Sequence, residues 1–237
     1  MKYLGSKRRI AQHILPIILA ERTSEQVFVD IMCGGCNLID KVEQGAGRIA
    51  NDIHVPLISL LTALQEGWIP PEVVSEEAYK LAKALEDSDP LKGFFGFGCS
   101  FGSKWFGGMA RGFTNNGVAR NYARESKANL LAQVPSLQGI EFHAGSYKDL
   151  NLPPASLIYC DPPYKGTTGY KDKFNHEEFY EGCLSKHDEG HKVFVSEYSM
   201  PEPFIEVWSK TQTTNLGYNV AAKVATERLF TLPKLEK

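Results

Sequence analysis

The 237-residue sequence is poor in several features that would each have set its class. It lacks an amino-terminal membrane span: the apolar stretch 14–20 is too short to cross a bilayer and contains Pro16. It lacks a signal-peptide cleavage site. Lys2, Lys7, Arg8 and Arg9 precede that stretch, but Glu21-Arg22-Thr23-Ser24-Glu25 comes after it, where small residues would be needed. A cytoplasmic location is therefore expected. Cysteine is sparse and odd in number, five in all, which argues against a disulfide framework. Cys33-Gly34-Gly35-Cys36 has the spacing of a zinc half-site or a redox pair. With no second C-x-x-C and no Cys/His pair at finger spacing, no metal is expected. Low-complexity tracts and internal repeats are absent, so the chain reads as one α/β domain carrying an insertion. A net charge of −2 is too small to announce a polyanion partner. Its distribution says otherwise. Residues 90–128 hold Lys92, Lys104, Arg111, Arg120, Arg124 and Lys127 against Glu125, a local footprint that could meet nucleic acid.

What is present centres on Leu157-Ile158-Tyr159-Cys160-Asp161-Pro162-Pro163-Tyr164. An apolar run suited to a buried parallel strand ends in an acid, two prolines and an aromatic, so the strand must stop and present that cluster at its carboxyl end. Ligands of open α/β sheets bind there. The prolines stiffen the turn. Asp161 and the carbonyl of Pro162 are two acceptors, and Tyr164 is a flat π surface beside them. That set suits a planar base bearing an NH2 group: two acceptors holding both N–H bonds favour a more tetrahedral nitrogen, whose lone pair can attack an electrophile. The plain alternative is a strand ending in a proline turn, with Asp161 merely capping the next segment.

Asp161-Pro162-Pro163-Tyr164 resembles the D-P-P-Y motif of amino-group DNA methyltransferases, and the chain as a whole resembles the Dam-like (D12) adenine-N6 branch. The resemblance implies a Rossmann-like S-adenosylmethionine-dependent methyltransferase fold: a mixed, mostly parallel seven-stranded sheet, helices on both faces and an inserted target-recognition region. It implies transfer of a methyl group from S-adenosylmethionine to adenine N6 in double-stranded DNA, with Asp161, Pro162 and Tyr164 catalytic. Lys2-Tyr3-Leu4-Gly5-Ser6-Lys7 is similar to the family's K-W-x-G-G-K opening, which places Tyr3 and Lys7 in the cofactor pocket. Phe28-Val29-Asp30 with Gly34-Gly35 is similar to F-V-E-P-F-x-G-G-G. Asp30 is the acid there, Gly34 lies in the turn, and Met32 inherits the apolar contact that Phe would make. Ser146, with Tyr147, stands where the family has an acid near the cofactor adenine. Tyr198 falls in the L-S-x-Y element that walls the target pocket.

The residues themselves supply the rest. Strands are predicted at 27–30, 48–53, 140–144, 157–160, 193–198, 204–208 and 224–232, the last two closing the sheet antiparallel. Helices are predicted over 10–18, 37–44, 55–66 (with Leu57, Leu60, Leu61 and Leu64 as its core face), 72–87, 120–133 and 174–184, the last capped by Asn175. Asp52 ends a strand roughly 20 residues after the glycine turn, where nucleotide-binding sheets offer a carboxylate to ribose hydroxyls. As a plain cap of the next helix it would serve structure instead. Residues 93–117 interleave aromatics, glycines and basic residues. They could stack on bases and contact phosphates, or pack their aromatics inward. In the first case the DNA-contacting set is Lys104, Trp105, Arg111, Arg120, Arg124, Lys127 and Tyr198. Domain bounds are then 1–67 with 129–237 for catalysis and 68–128 for the insert. The loop 165–173 is expected to close over a base, and His176 and His187 to lie on the surface. Cytosine-N4, RNA or protein glutamine as acceptor, and an inactive DNA-binding module, remain open alternatives.

Overall fold

The computed structural model describes residues 1–20, 22–165, 174–214 and 223–234. Its seven strands are β1 (Phe28–Asp30), β2 (Arg48–Asp52), β3 (Ile140–Ala144), β4 (Leu157–Cys160), β5 (Lys192–Glu197), β6 (Ile205–Thr214) and β7 (Lys223–Thr231). They form one sheet in the order β3-β2-β1-β4-β5-β7-β6. The pairings from β3 through β5 are parallel, and β7 runs antiparallel to both β5 and β6. The mixed α/β architecture expected from the sequence is the one observed. Winding reverses between β1 and β4, so the carboxyl ends of these two strands flank the sheet's switch point, the position at which open α/β sheets bind their ligands.

Alternation along the strands sorts their side chains between two cores. Phe28, Ala50, Leu157, Tyr159, Phe194 and Leu229 face a layer built from α1 (Ala11–Leu19), α2 (Val55–Gln65), α4 (Pro90–Gly93) and α5 (Tyr122–Leu137). Val29, Ile49, Ile158, Cys160, Val193, Val195 and Phe230 face α6 (His176–Asp188). Leu57, Leu60, Leu61 and Leu64 of α2 are fully buried, as their i, i+3, i+4, i+7 spacing requires. Asn175 caps α6 by accepting the Glu178 N–H. No helix among the described residues is long and apolar enough to cross a membrane.

Local structure departs from the sequence reading in three places. The helix expected at 37–44 is a single 3-10 turn, Ile39–Lys41. The acidic helix expected at 72–87 shrinks to α3 (Glu76–Leu81) and a 3-10 turn, Ala82–Ala84, because Ser75 caps it late and Leu85 turns extended. The insert is not a separate unit. Its buried Tyr79, Phe94, Phe95, Phe97 and Cys99 join the same core as α1 and α2. A Cβ placed on Gly93 of α4 would lie 2.1 Å from the Pro56 carbonyl oxygen at the start of α2, so only glycine permits that approach. The expected boundary between residues 128 and 129 falls inside α5, a continuous helix whose Ala123, Leu130 and Leu137 are all in that core.

Candidate active site

Strand parity brings three carboxylates to one face. Asp30 comes after Phe28 and Val29, Asp52 after Ala50 and Asn51, and Asp161 after Tyr159 and Cys160. Each therefore points to the α1/α2 side at the carboxyl end of its strand, with Asp30 in register with Ala50 and Tyr159. Buried acids crowded in this way resist ionisation. Asp30 has 2% of its surface exposed, its Oδ1 has no hydrogen-bond partner, and burial with Asp161 and Asp52 nearby pushes its carboxyl well above the usual range. Asp161 is pushed up to about 6 by burial, against the pull of Lys7.

The turn after β4 is held on three sides. The Lys7 ammonium lies 2.8 Å from Asp161 Oδ1 and 4.6 Å from the centre of the Tyr164 ring. Burial opposes its charge, yet Asp161 and Glu227 hold Lys7 above its ordinary value. The Tyr164 hydroxyl donates to Glu227 Oε2 of β7 at 2.6 Å. Beyond the tyrosine, the Lys165 N–H donates to Glu197 Oε1 at 2.7 Å; Glu197 ends β5, is 0% exposed, and also accepts the Tyr198 N–H. Tyr198 meets Tyr164 edge to face at 4.5 Å, forming an aromatic corner. His176 is not the isolated surface residue expected: its Nδ1 is buried and lies 3.7 Å from Glu197 Oε1. The rest of the expected closing loop, 166–173, lies outside the described residues.

The glycine turn after β1 sits beside this corner. Gly34 has φ +48°, and a Cβ there would come 2.6 Å from Tyr3 Cε1, so the Tyr3 ring covers the turn where only glycine fits. Asp52 is no side-chain cap of α2. Its Oδ2 accepts the Gly34 N–H and its Oδ1 the His54 N–H, both at 2.9 Å, which ties the ends of β1 and β2 together. Buried Asn51, which sequence reading passed over, donates to the carbonyls of Ile31 and Gly145 and staples the turns after β1 and β3. Tyr3, Lys7, Asp30, Gly34, Asp52 and Asp161 thus come together. Met32 instead packs half-buried against the α6-side core, and Ser146 caps a 3-10 turn through the Lys148 N–H. The Tyr147 ring packs against Phe174 and, edge to face, against Phe179 of α6, on the sheet face opposite Asp30, Asp52 and Asp161, and burial there pushes its hydroxyl up to about 12. With Ile31, Ile158, Phe179 and Cys183 it lines an apolar cavity of about 260 Å³. Cys33 and Cys36 are both buried.

The basic insert is less bare than its sequence suggests. Arg111 pairs with Glu76 at 2.5 Å, Lys127 with Glu72 at 3.1 Å, Lys92 with Asp87 at 2.6 Å, and Arg120 doubly with Glu125. Three of these acids come from the segment just before the insert's basic run, which folds back onto it. Lys104 and Arg124 are exposed and have no carboxylate partner among the described residues. Trp105 turns inward: its ring lies 4.2 Å from His54 and 4.8 Å from Phe97 and covers Gly96, so it is a packing residue rather than an exposed stacking platform. The exposed rings are Phe101 and Phe113, at 70% and 73%. Phe97 in turn meets Tyr3 at 5.3 Å, so the insert's aromatic base reaches the glycine turn that the Tyr3 ring covers.

Comparison with known proteins places this geometry. Residues 3–96 and 103–223 match the family model described as D12 class N6 adenine-specific DNA methyltransferase. The type II methyltransferase M.FokI of Planomicrobium okeanokoites is 26% identical over 204 residues, 73% of this chain and 30% of that protein. The chain thus spans under a third of that relative's length. Among solved structures, PH1948 of Pyrococcus horikoshii, a candidate RNA methyltransferase, aligns over 97% of this chain and 87% of its own at 10% identity and a TM-score of 0.42. SMU.472, a candidate methyltransferase complexed with SAH, aligns over 98% of this chain and 54% of its own at 9% identity and a TM-score of 0.37.

Proposed function

The chain belongs to the D12 class N6 adenine-specific DNA methyltransferase family, and on that footing we propose that it methylates adenine N6 in double-stranded DNA with S-adenosylmethionine as donor. The observation that carries the reading is the corner after β4. There Asp161, held partly buried by Lys7, stands beside a Tyr164 ring fixed by its own hydroxyl, at the sheet's switch point.

The cleft fits the donor. Asp30 offers a buried, unpartnered carboxylate oxygen to an α-ammonium group, Asp52 offers a carboxylate to ribose hydroxyls, and Gly34 lets the backbone approach closely. Tyr3 and Lys7 border the same space; Met32 and Ser146, which pack against the α6 side and cap a turn, are not needed to hold the donor. Tyr147 is left out because its ring packs against Phe179 of α6. When bound, S-adenosylmethionine supplies an electrophilic methyl group on a sulfonium.

The chain's own residues do the remainder. The target adenine leaves the duplex, at a cost of a few kcal/mol, and stacks on Tyr164. Asp161 and the Pro162 carbonyl accept its two amino N–H bonds and turn the nitrogen lone pair outward. Lys7 occupies Asp161 Oδ1, and the second carboxylate oxygen is left to receive an N–H. Transfer is direct, with no covalent bond to the protein. The methylated amine then sheds one proton, for which a carboxylate near pKa 6 is a competent acceptor. Lys104 and Arg124, together with Arg111, Arg120 and Lys127 once their surface pairs exchange for phosphates, form the DNA-facing side, and Tyr198 walls the base pocket. Such an enzyme acts on DNA in the cytoplasm of a bacterial or phage-infected cell.

The test is to supply purified protein with S-adenosylmethionine and unmethylated duplexes of varied sequence and to identify the product base by mass spectrometry. N6-methyladenine, lost in Asp161→Ala, is the expected result. N4-methylcytosine, or no methylated base at all, overturns the reading.

A further inference from the structure

Two strands that belong to none of the cofactor or D-P-P-Y segments reach into the corner, and one of them contacts the group that faces the base. By strand parity Glu227 lies on the same face as Leu229, the α1/α2 side, while Arg228 lies on the α6 side. β7 pairs with β5 only as far as Glu197↔Arg228, so Glu227 stands just past the end of β5, where nothing intervenes between it and the turn after β4. Its Oε2 accepts the Tyr164 hydroxyl at 2.6 Å. The neighbouring Arg228 donates from Nη1 to the Tyr198 carbonyl at 2.5 Å and keeps its Nε 2.9 Å from Glu206 Oε2. The closing antiparallel hairpin therefore sets both rings of the aromatic corner, Tyr164 through a side chain and Tyr198 through its backbone.

We infer that Glu227 is the positioning residue for the Tyr164 platform, and through it for the flipped base. This rests on the methyltransferase reading above. The physical need is specific. A tyrosine in a two-proline turn has its backbone fixed, but its ring still rotates about two side-chain bonds, and a stacking surface that tilts misplaces the amino nitrogen. Proline stiffness cannot supply the missing constraint. A hydrogen bond from the ring's far end fixes the first of these rotations, which swings the hydroxyl; the second leaves the hydroxyl oxygen in place and is set by the Lys7 and Tyr198 contacts on the ring. The charge-assisted form is the stronger kind. Glu227 touches neither reacting atom in this arrangement. It acts through Tyr164.

The experiment compares Glu227→Ala, Glu227→Gln, Tyr164→Phe and the Glu227→Ala/Tyr164→Phe pair, each checked for an unchanged melting temperature and cofactor affinity. Glu227→Ala should lower kcat at least tenfold with cofactor binding within twofold. Glu227→Gln, which keeps an oxygen to accept the hydroxyl, should recover most of that loss. Tyr164→Phe should match Glu227→Ala, and the pair should cost under twofold more than either single change. Multiplying effects, a Gln variant as poor as Ala, or a full-speed Ala variant each overturn the proposal. An activity-free readout separates it from the methyltransferase reading. In tyrosine-labelled, cofactor-free protein, the couplings across the Tyr164 Cα–Cβ bond should report a single rotamer in the parent and rotamer averaging in Glu227→Ala. Averaged couplings in the parent overturn the positioning role, whether or not N6-methyladenine is ever made.

Discussion

The corner after β4 and the insert of 68–128 both carry dense charge, and they handle it in opposite ways. In the corner, Asp30 and Asp161 are drawn from strand ends into the interior, where Lys7 is the ammonium they share space with, and Glu197 is fully buried near Asp161. In the insert, the charges stay on the surface, as in Arg111–Glu76, whose side chains are more than half exposed. What is buried in the insert is aromatic: Phe94, Phe95 and Phe97, with Trp105 against His54. A buried ion pair is costly to break, about 3–5 kcal/mol on removing one partner, whereas an exposed pair is worth about 0–1 kcal/mol. The corner is thus built to hold one geometry, while the insert's exposed pairs are free to exchange partners, as the role proposed for them against phosphates requires.

The sharpest way to break that contrast is at the corner. Tyr164→Ala and Asp161→Ala should each lower kcat by about 10²–10³-fold or more, the scale for losing a preorganised polar contact, with cofactor affinity changed far less. Equal loss of binding and turnover would place these residues in the cofactor site instead. Acidity is the next lever. The acceptor form of Asp161 is ionised, and its pKa is raised to about 6, so kcat/KM should fall about tenfold per pH unit as pH drops below about 6. Lys7 favours the ionised form; Lys7→Gln removes that help and should move the acid limb to higher pH. A limb that stays put, or moves down, would show that Lys7 serves only the cofactor.

The same contrast explains what could be read from the chain. The seven strands and the switch-point acids were legible because apolar runs ending in Asp30, Asp52 and Asp161 carry their own period and their own stop. Glu197 and Glu227 were not, since each sits in a strand whose sequence gives no hint of the register that aims it at the turn after β4. His176 was missed for the same reason. Its place beside Glu197 is set by where α6 begins relative to β5. Charge counting misjudged the insert because Glu72, Glu76 and Asp87 lie outside the window 90–128 and return to it only in three dimensions. The apolar period of α2 was visible, but nothing in Phe94-Phe95-Gly96-Phe97-Gly98 distinguished a buried turn from an exposed stacking loop.

A smaller effect tests whether insert and core fold together. Gly93→Ala drives a methyl group into the Pro56 carbonyl at the α4–α2 crossing. Overpacking of this kind costs about 1–3 kcal/mol, and in a chain of this size each kcal/mol lowers the melting temperature by about 2–4 °C. The whole protein should melt earlier in one transition. A separate, early transition confined to the insert would mean that 68–128 is an independent unit after all.

The smallest effect on stability carries the most information about DNA. Arg111→Ala should shift the melting temperature by little, because its pair with Glu76 is exposed and screened by solvent. If the arginine leaves that carboxylate for a phosphate, the same change should weaken duplex binding about equally across sequences and lower the salt-dependence slope by about 1. Glu76→Ala should act in the opposite sense. It frees the arginine, and binding should tighten at low salt with the slope kept. Were both variants to bind as the parent does, Arg111 would belong to the fold alone. The DNA-facing cations would then narrow to Lys104 and Arg124, which pair with no acid among the described residues.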